Sequence, residues 1–192
     1  ATVIENLDAK SHGILIWRAL LQWLGGVGII VMALAVLPML SIGGMQLFKT
    51  ESYETPDKVV PKAASFAAGI SIVYISLTII WAFMLWGAGM SIFDSIAHSM
   101  TTLATGGYST KSASLAAFNS STIEIIIIFG MLVGSLPFVH YLTITKNGIK
   151  NLIKDDQVKL FLTLVFFIVL IMSLYLSSNN IPYFEALRLA SF

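Results

Sequence analysis

FDSIAHSMTTLATGGYS, residues 93–109, lies between two long apolar runs, yet it is too short and too polar to cross a bilayer as a helix. Its first part, Ser91 to Thr102, has the length of about three helical turns. Ser91 is a candidate N-cap, and Asp94 falls in the first turn, where a carboxylate favours the positive end of the helix dipole. Its second part, Ala104, Thr105, Gly106, Gly107 and Tyr108, breaks the helix. Paired glycines cost about 1 kcal/mol each in a helix interior, but they permit positive φ angles. A short helix followed by a Gly-rich turn, between spanning helices, predicts a re-entrant loop. At membrane depth such irregular backbone is tolerated only where protein buries it or where it lines a water-filled path. The carbonyls it leaves free can replace a cation's hydration shell.

Composition agrees with a membrane setting. Of 192 residues, 57% are hydrophobic and 11% charged, with a mean hydropathy of +0.86. A soluble domain carries about 25% charged residues, so the class is an all-α polytopic membrane protein. The net charge of +1 gives no basic surface for nucleic acid. There are no cysteines, which excludes disulfides and thiolate metal sites. The chain opens Ala-Thr-Val-Ile-Glu-Asn without an initiator Met or a basic leader, and a fragment is expected.

Outward from the central stretch, the apolar runs are 14–40, 63–87, 122–144 and 160–176. A bilayer core of about 30 Å needs about 20 helical residues, so the first three span with room to spare and the fourth nearly matches. Residues 1–13 read as a polar, extended lead-in. Trp17 and Trp23 suit an aromatic interface belt, Arg18 can snorkel beside them, and Trp81 and Trp86 fall near the far end of the second run. Gly25, Gly26 and Gly28 read as helix packing positions, as does the G-x-x-x-G pair Gly130 and Gly134. Pro137 removes a backbone donor and predicts a kink near Gly134. Gly43-Gly44 ends the first helix and Thr55-Pro56-Asp57 marks a turn. The loops 41–62 and 145–159 hold Lys49, Lys58, Lys62, Lys146, Lys150, Lys154 and Lys159, seven of the eleven basic residues. Basic residues are enriched in cytoplasmic loops, so the central loop enters from outside. Near the end, Phe184-Glu185-Ala186-Leu187 echoes Phe93-Asp94-Ser95-Ile96, an aromatic and an acid opening a short helix after a polar break.

Four ordered stretches resemble the Trk/Ktr/HKT superfamily of potassium transporters, and within it the bacterial Trk-type membrane subunit. They are Trp17-Arg18-Ala19-Leu20-Leu21-Gln22-Trp23-Leu24-Gly25-Gly26-Val27-Gly28-Ile29-Ile30-Val31, Pro38-Met39-Leu40, Gly43-Gly44-Met45-Gln46-Leu47-Phe48, and Gly89-Met90-Ser91-Ile92-Phe93-Asp94. The resemblance covers nearly the whole chain. It implies repeats of helix, pore helix, filter and helix around one pore. On that pattern, residues 1–13 are the tail of a first filter and an outer loop, and 14–42 the second helix of repeat one. Residues 62–145 form all of repeat two, with pore helix 91–102 and filter 104–108. Residues 157–177 are the first helix of repeat three, and 182–192 begin a third pore helix, before the third filter.

What the resemblance implies in function is potassium uptake across the bacterial plasma (inner) membrane. The filter would be the backbone of Ala104, Thr105, Gly106, Gly107 and Tyr108, with Gly106 as the matching filter glycine and K+ bound through the carbonyls of Thr105, Gly106 and Gly107. It further implies a homodimer of full-length subunits in the lipid bilayer, with a nucleotide-binding regulatory subunit on the cytoplasmic face and no organic cofactor. A sodium or sodium/potassium transporter of the same family is the nearest alternative. An intramembrane serine hydrolase would need Ser109 activated by His140, which sit on opposite sides in this topology, and the second glycine of a nucleophile elbow is absent. A non-conducting membrane scaffold is the third reading. His12, His98 and His140 are scattered and do not read as a metal site.

Overall fold

The computed structural model describes residues 4, 6–40, 59–138, 140–142, 152 and 154–192, with the side chains of 29–40 and 59–66 outside that description. The Gly43-Gly44 break, the Thr55-Pro56-Asp57 turn, Ala1-Thr2, Lys49, Lys58, Lys146 and Lys150 lie outside the described residues. Among these residues the secondary structure is helical, without strands. The chain divides into two compact units, Ala1–Phe138 and Val139–Phe192.

The first unit opens with a 3-10 turn, Leu7–Ala9. Residues 1–13 are thus not simply extended: Leu7 is buried, and helix α1, His12–Leu40, begins earlier than its apolar run. Its 29 residues reach about 44 Å at 1.5 Å per residue. Helix α2 is Val59–Gly87, and its segment Ala67–Gly87 has a mean hydropathy of 2.1. Ile72, Ile79, Phe83 and Trp86 project outward from α2, while Ile70, Tyr74, Trp81 and Leu85 are buried. An apolar exposed face of this extent fits lipid or further protein rather than water.

Helix α3, Ile92–Leu103, is enclosed by α1, α2 and the next long helix. Eight of its twelve residues are buried, and six of those are polar: Asp94, Ser95, His98, Ser99, Thr101 and Thr102. A polar helix at the centre of apolar ones must satisfy its own groups. Ser95 and Ser99 do so by donating to Ile92 O and Ile96 O, each at 2.9 Å. A second 3-10 turn, Ser114–Phe118, brings Leu115 onto Leu85, Met90, Ile123 and Ile127.

Helix α4, Ser121–Ser135, differs from the single spanning run expected over 122–144. Leu136 is extended, at φ −78° and ψ 148°, before helical backbone resumes at 138. The break is two residues beyond the kink expected at Gly134. Pro137 disfavours helical backbone in the residue before it, and this places the stop at Leu136.

The second unit holds α5, Asp156–Ser178, and α6, Tyr183–Ser191. Asp155 caps α5 by accepting from Gln157 N and Val158 N, so the last residues of the expected 145–159 loop are helical. The α5 segment has a mean hydropathy of 2.6, long and apolar enough to cross a bilayer. The polar break at Asn179-Asn180 leads into α6, whose Glu185 occupies the same third helical position as Asp94 in α3. The caps differ: Ser91 bonds Asp94 N, whereas Pro182 supplies no side-chain cap.

Candidate functional site

The loop 104–110 leaves the end of α3 through a Schellman motif. Thr105 N donates to Thr102 O at 3.0 Å and Gly106 N to Thr101 O at 2.8 Å. The left-handed position of this motif normally falls to glycine. Here Thr105 holds it, at φ +51°, and Gly107 follows at φ +70°. Gly106 is not in the positive region, so the conformational freedom expected of it belongs to its two neighbours. The motif also caps the carbonyls of Thr101 and Thr102, so the helix end is closed at those two groups.

Two helices grip the loop from either side. On α3, positions 94, 98 and 101 share one face by the helical repeat. They meet three consecutive loop residues in reverse order. Asp94 Oδ1 accepts from Thr110 Oγ1 at 2.6 Å. His98 Nε2 lies 3.0 Å from Ser109 Oγ, and Thr101 Oγ1 donates to Tyr108 O at 2.9 Å. His98 Nδ1 lies 2.8 Å from Asp94 O, a carbonyl, so Nδ1 donates; the neutral ring then accepts the Ser109 hydroxyl at Nε2. Asp94 Oδ2 accepts from Ser91 Oγ, which completes the cap.

On α1, positions 18, 22 and 26 form a second such face. The Arg18 guanidinium lies 4.8 Å above the Tyr108 ring. Gln22 Nε2 donates to Gly106 O at 3.0 Å. A Cβ on Gly26 would lie 3.3 Å from both Cα and Cβ of Ala104. Arg18 thus stacks on the loop instead of snorkelling away. Trp23 is no belt residue either: its Nε1 donates to Thr78 Oγ1 at 3.0 Å, and its carbonyl accepts from Tyr74 Oη at 3.1 Å.

Of the five expected filter carbonyls, Tyr108 O and Gly106 O are therefore engaged by side chains, and Ala104 O accepts from its neighbour Thr105 Oγ1 at 2.8 Å. Thr105 O and Gly107 O accept no hydrogen bond from any described residue. A Cβ on Gly106 would fall inside the Gln22 side chain. A larger residue there would have to displace the end of the Gln22 side chain, so the constraint comes from contact and not from φ.

Small residues also seat the end of α3. A Cβ on Gly130 would lie 2.6 Å from Thr102 Cγ2, and one on Gly134 would lie 2.9 Å from Leu103 O. Close approach of this kind is what small residues permit between helices. Trp81 closes the same contact, buried and donating from Nε1 to Ile126 O at 2.9 Å, not facing a bilayer interface. Pro137 meets none of these groups in a described contact; it sets the end of α4. Gly25 and Gly28 have no neighbour within 4 Å of an added Cβ.

The outer side of the loop is tied to the N-terminal turn. Leu7 N donates to Ser112 Oγ at 2.9 Å, and Ser112 N to Asp8 Oδ2 at 3.2 Å. The Ser112 hydroxyl, and next its backbone N–H, hold the Asp8 carboxyl below the usual carboxylate range. His12 stacks on Phe93 with ring centroids 4.1 Å apart.

Ser109 has His98, not His140, as its imidazole neighbour, and Lys111 N donates back into Ser109 Oγ at 3.1 Å. His140 Nε2 lies 3.4 Å from Asp155 Oδ2 in the second unit. The Ser109–His98 pair is buttressed by a carbonyl where a hydrolase would place an acid, and it serves to hold the loop. Among the described residues no three His, Asp or Glu side chains converge as a metal cluster would require.

Comparison with known proteins bears on the whole arrangement. The family model TrkH, cation transport protein, matches residues 1–185. The chain is 37% identical over 194 residues to the Trk system potassium uptake protein TrkI of Halomonas elongata, covering 100% of this chain and 39% of that protein. It is 39% identical over 184 residues to the Trk system potassium uptake protein TrkH of Escherichia coli K12, covering 94% and 38%. The crystal structure of the potassium transporter TrkH from Vibrio parahaemolyticus superposes with a TM-score of 0.84 at 36% identity, covering 100% of this chain and 39% of that one. The chain thus spans about two fifths of the length of these relatives. The helix, buried polar helix, Gly-containing loop and helix seen here are the fold of a membrane transport family and not of an enzyme family, and the chain belongs to the TrkH family of cation transport proteins.

Proposed function

We propose that this chain is part of a potassium uptake protein, and that its loop 104–108 is one segment of a selectivity filter. The observation that carries this reading is the pair of carbonyls, Thr105 O and Gly107 O, unbonded among the described residues within a loop gripped on both sides. Thr105 and Gly107 are exposed residues of an otherwise clamped loop, so their carbonyls stand open to a partner and are not spent inside the protein. A dehydrated cation is such a partner, and a rigid set of carbonyls can prefer one cation over another. Potassium is assigned from the relatives' names, each of which is a potassium uptake protein or transporter.

On this reading 14–42 is the second helix of repeat one, 62–145 is repeat two, 157–177 opens repeat three and 182–192 starts the third pore helix. The matching positions of Asp94 and Glu185 support the last assignment. The membrane is the bacterial inner membrane, with the loop entering from outside, as the excess of Lys in 41–62 and 145–159 supports. The full-length protein is a homodimer, and the nucleotide-binding regulatory subunit docks on its cytoplasmic face.

The test is Gly107→Ala in the full-length protein. At φ +70° a Cβ is strained even though nothing lies within 4 Å of it. Any change in transport would therefore come from the loop's own backbone. Sodium and rubidium fluxes in proteoliposomes should show potassium-like ions losing their advantage by about tenfold, the effect of about 1.4 kcal/mol in relative binding. Wild-type selectivity at matched protein would mean that the loop is only a turn.

A further inference from the structure

We infer that Gln22 is a positioning and specificity-determining residue for this filter segment, acting through Gly106; the inference rests on the filter reading above. Three observations meet at one side chain. Gln22 Nε2 donates to Gly106 O at 3.0 Å. The same amide fills the volume that a Cβ on residue 106 would need. Its Oε1 is buried without a hydrogen-bond partner among the described residues.

The orientation of the amide follows from its neighbour. Gly106 offers a carbonyl oxygen, which only accepts, so the NH2 group must face it and the amide oxygen must face away. Leaving that oxygen buried and unpaired is unfavourable. The position is retained nevertheless because Gln22 is fixed from below and above. One residue on, Trp23 is held by Thr78 and Tyr74. One turn earlier Arg18 rests on Tyr108, and one turn later Gly26 rests on Ala104. The 18, 22, 26 face therefore reads loop residues 108, 106 and 104, and Gln22 is its central member and its sole hydrogen-bond donor to the loop. By claiming the Gly106 carbonyl it sets the peptide planes on either side, those of Thr105 and Gly107, whose oxygens stay open. Gln22 and Gly106 then form one unit: the glutamine fits because residue 106 has no side chain, and the carbonyl is aimed because the glutamine is there.

The experiment uses the full-length protein in proteoliposomes, with rubidium and sodium fluxes and size-exclusion profiles as separate readouts. Gln22→Met keeps most of the volume and removes the donor. It should lower rubidium-over-sodium selectivity by about tenfold, the upper effect of one hydrogen bond, with an unchanged elution profile. Gln22→Asn keeps the amide but withdraws it by one methylene, and should fall between the two. Gly106→Ala should displace the Gln22 amide and lower uptake sharply, and adding Gln22→Ala to it should restore uptake by vacating the contested space. The inference is overturned if Gln22→Met transports with wild-type selectivity, or if the double variant is as inactive as Gly106→Ala alone. The double variant decides the matter even if Gln22→Met fails to insert. Altered selectivity in Gly107→Ala alongside wild-type behaviour of the Gln22 variants would remove this inference and leave the filter reading standing. Wild-type selectivity in Gly107→Ala would remove the filter reading itself.

Discussion

Gly130→Ala adds a single methyl group at the point where α4 crosses the buried helix, and the structure sets its cost. The new Cβ would lie 2.6 Å from Thr102 Cγ2 and 2.8 Å from Trp81 Cδ1, and closer still to Trp81 Nε1. Contacts of that length cannot persist, so a neighbour must shift. Trp81 has little room: it is 8% exposed, and its Nε1 is committed to Ile126 O at 2.9 Å. Thr102 belongs to the Schellman end of α3 and cannot move without the loop. Overpacking of a filled site costs about 1–3 kcal/mol, and losing the indole bond adds about 1 kcal/mol. Against this, alanine is favoured over glycine in a helix by about 1 kcal/mol. The balance is a destabilisation of about 1–3 kcal/mol, as befits a helix packing position that leaves no room for a methyl group. Gly28→Ala supplies the control, since nothing lies within 4 Å of its Cβ: only the propensity gain of up to about 1 kcal/mol remains. The assay is the temperature at which half of the detergent-solubilised full-length protein stays monodisperse, measured for both variants beside the parent. Gly130→Ala should fall clearly below the parent and Gly28→Ala should equal or exceed it. Equal melting of the two variants would refute the close contact between α4 and α3.

Thr110→Val removes the hydroxyl that donates to Asp94 Oδ1 at 2.6 Å in a buried site, and should cost about 1.5–3 kcal/mol locally, the usual worth of a hydrogen bond to a carboxylate. Hydrogen exchange of the amides at 106–110 should accelerate while those of α5 do not; unchanged exchange at 106–110 would show that the outer clamp is idle. Asp8 gives a pH dependence. Because its folded pKa lies below the ordinary value of 3.8, its tie to Ser112 is fully present above 3.8 and is lost as the pH falls through the lower folded value. An acid protease should therefore cut near Leu7–Ala9 more readily as the pH drops below 3.8, and Asp8→Asn should be cut similarly throughout; parent cleavage that is flat across that range would argue against the tie.

The sequence makes some of this legible and not the rest, for physical reasons. The start of α3 is legible because Ser91 and Asp94 are local signals that act within one helical turn. The stop at Leu136 is nearly legible, since Pro137 is local too: its missing donor and its clash with the preceding turn point to Gly134, whereas its restriction on the residue before it sets the stop two residues later. The partners of Trp23 and Trp81 are not legible, because a tryptophan near the end of an apolar run looks the same whether its N–H meets a headgroup or a neighbouring helix. Only Thr78 and Ile126, at sequence separations of 55 and 45, decide the matter.

Gly106 shows the limit most sharply. Two adjacent glycines invite one explanation, positive φ, and that explanation holds for Gly107 alone. The left-handed residue at the end of α3 is Thr105, which nothing in its own chemistry advertises. What a side chain at 106 would displace is Gln22, separated from it by 84 positions. Gln22 carries a signal that could have been used: it sits four residues from both Arg18 and Gly26, in a run otherwise rich in Leu and Ile. A polar amide with a cation one turn before it and a glycine one turn after it is a helix face prepared for backbone, because an amide can meet carbonyls, a guanidinium can lie on an aromatic ring, and a glycine admits close approach. Reading that face would have predicted a loop laid along α1. Which loop residues it meets depends on the register between two segments that only the fold brings together.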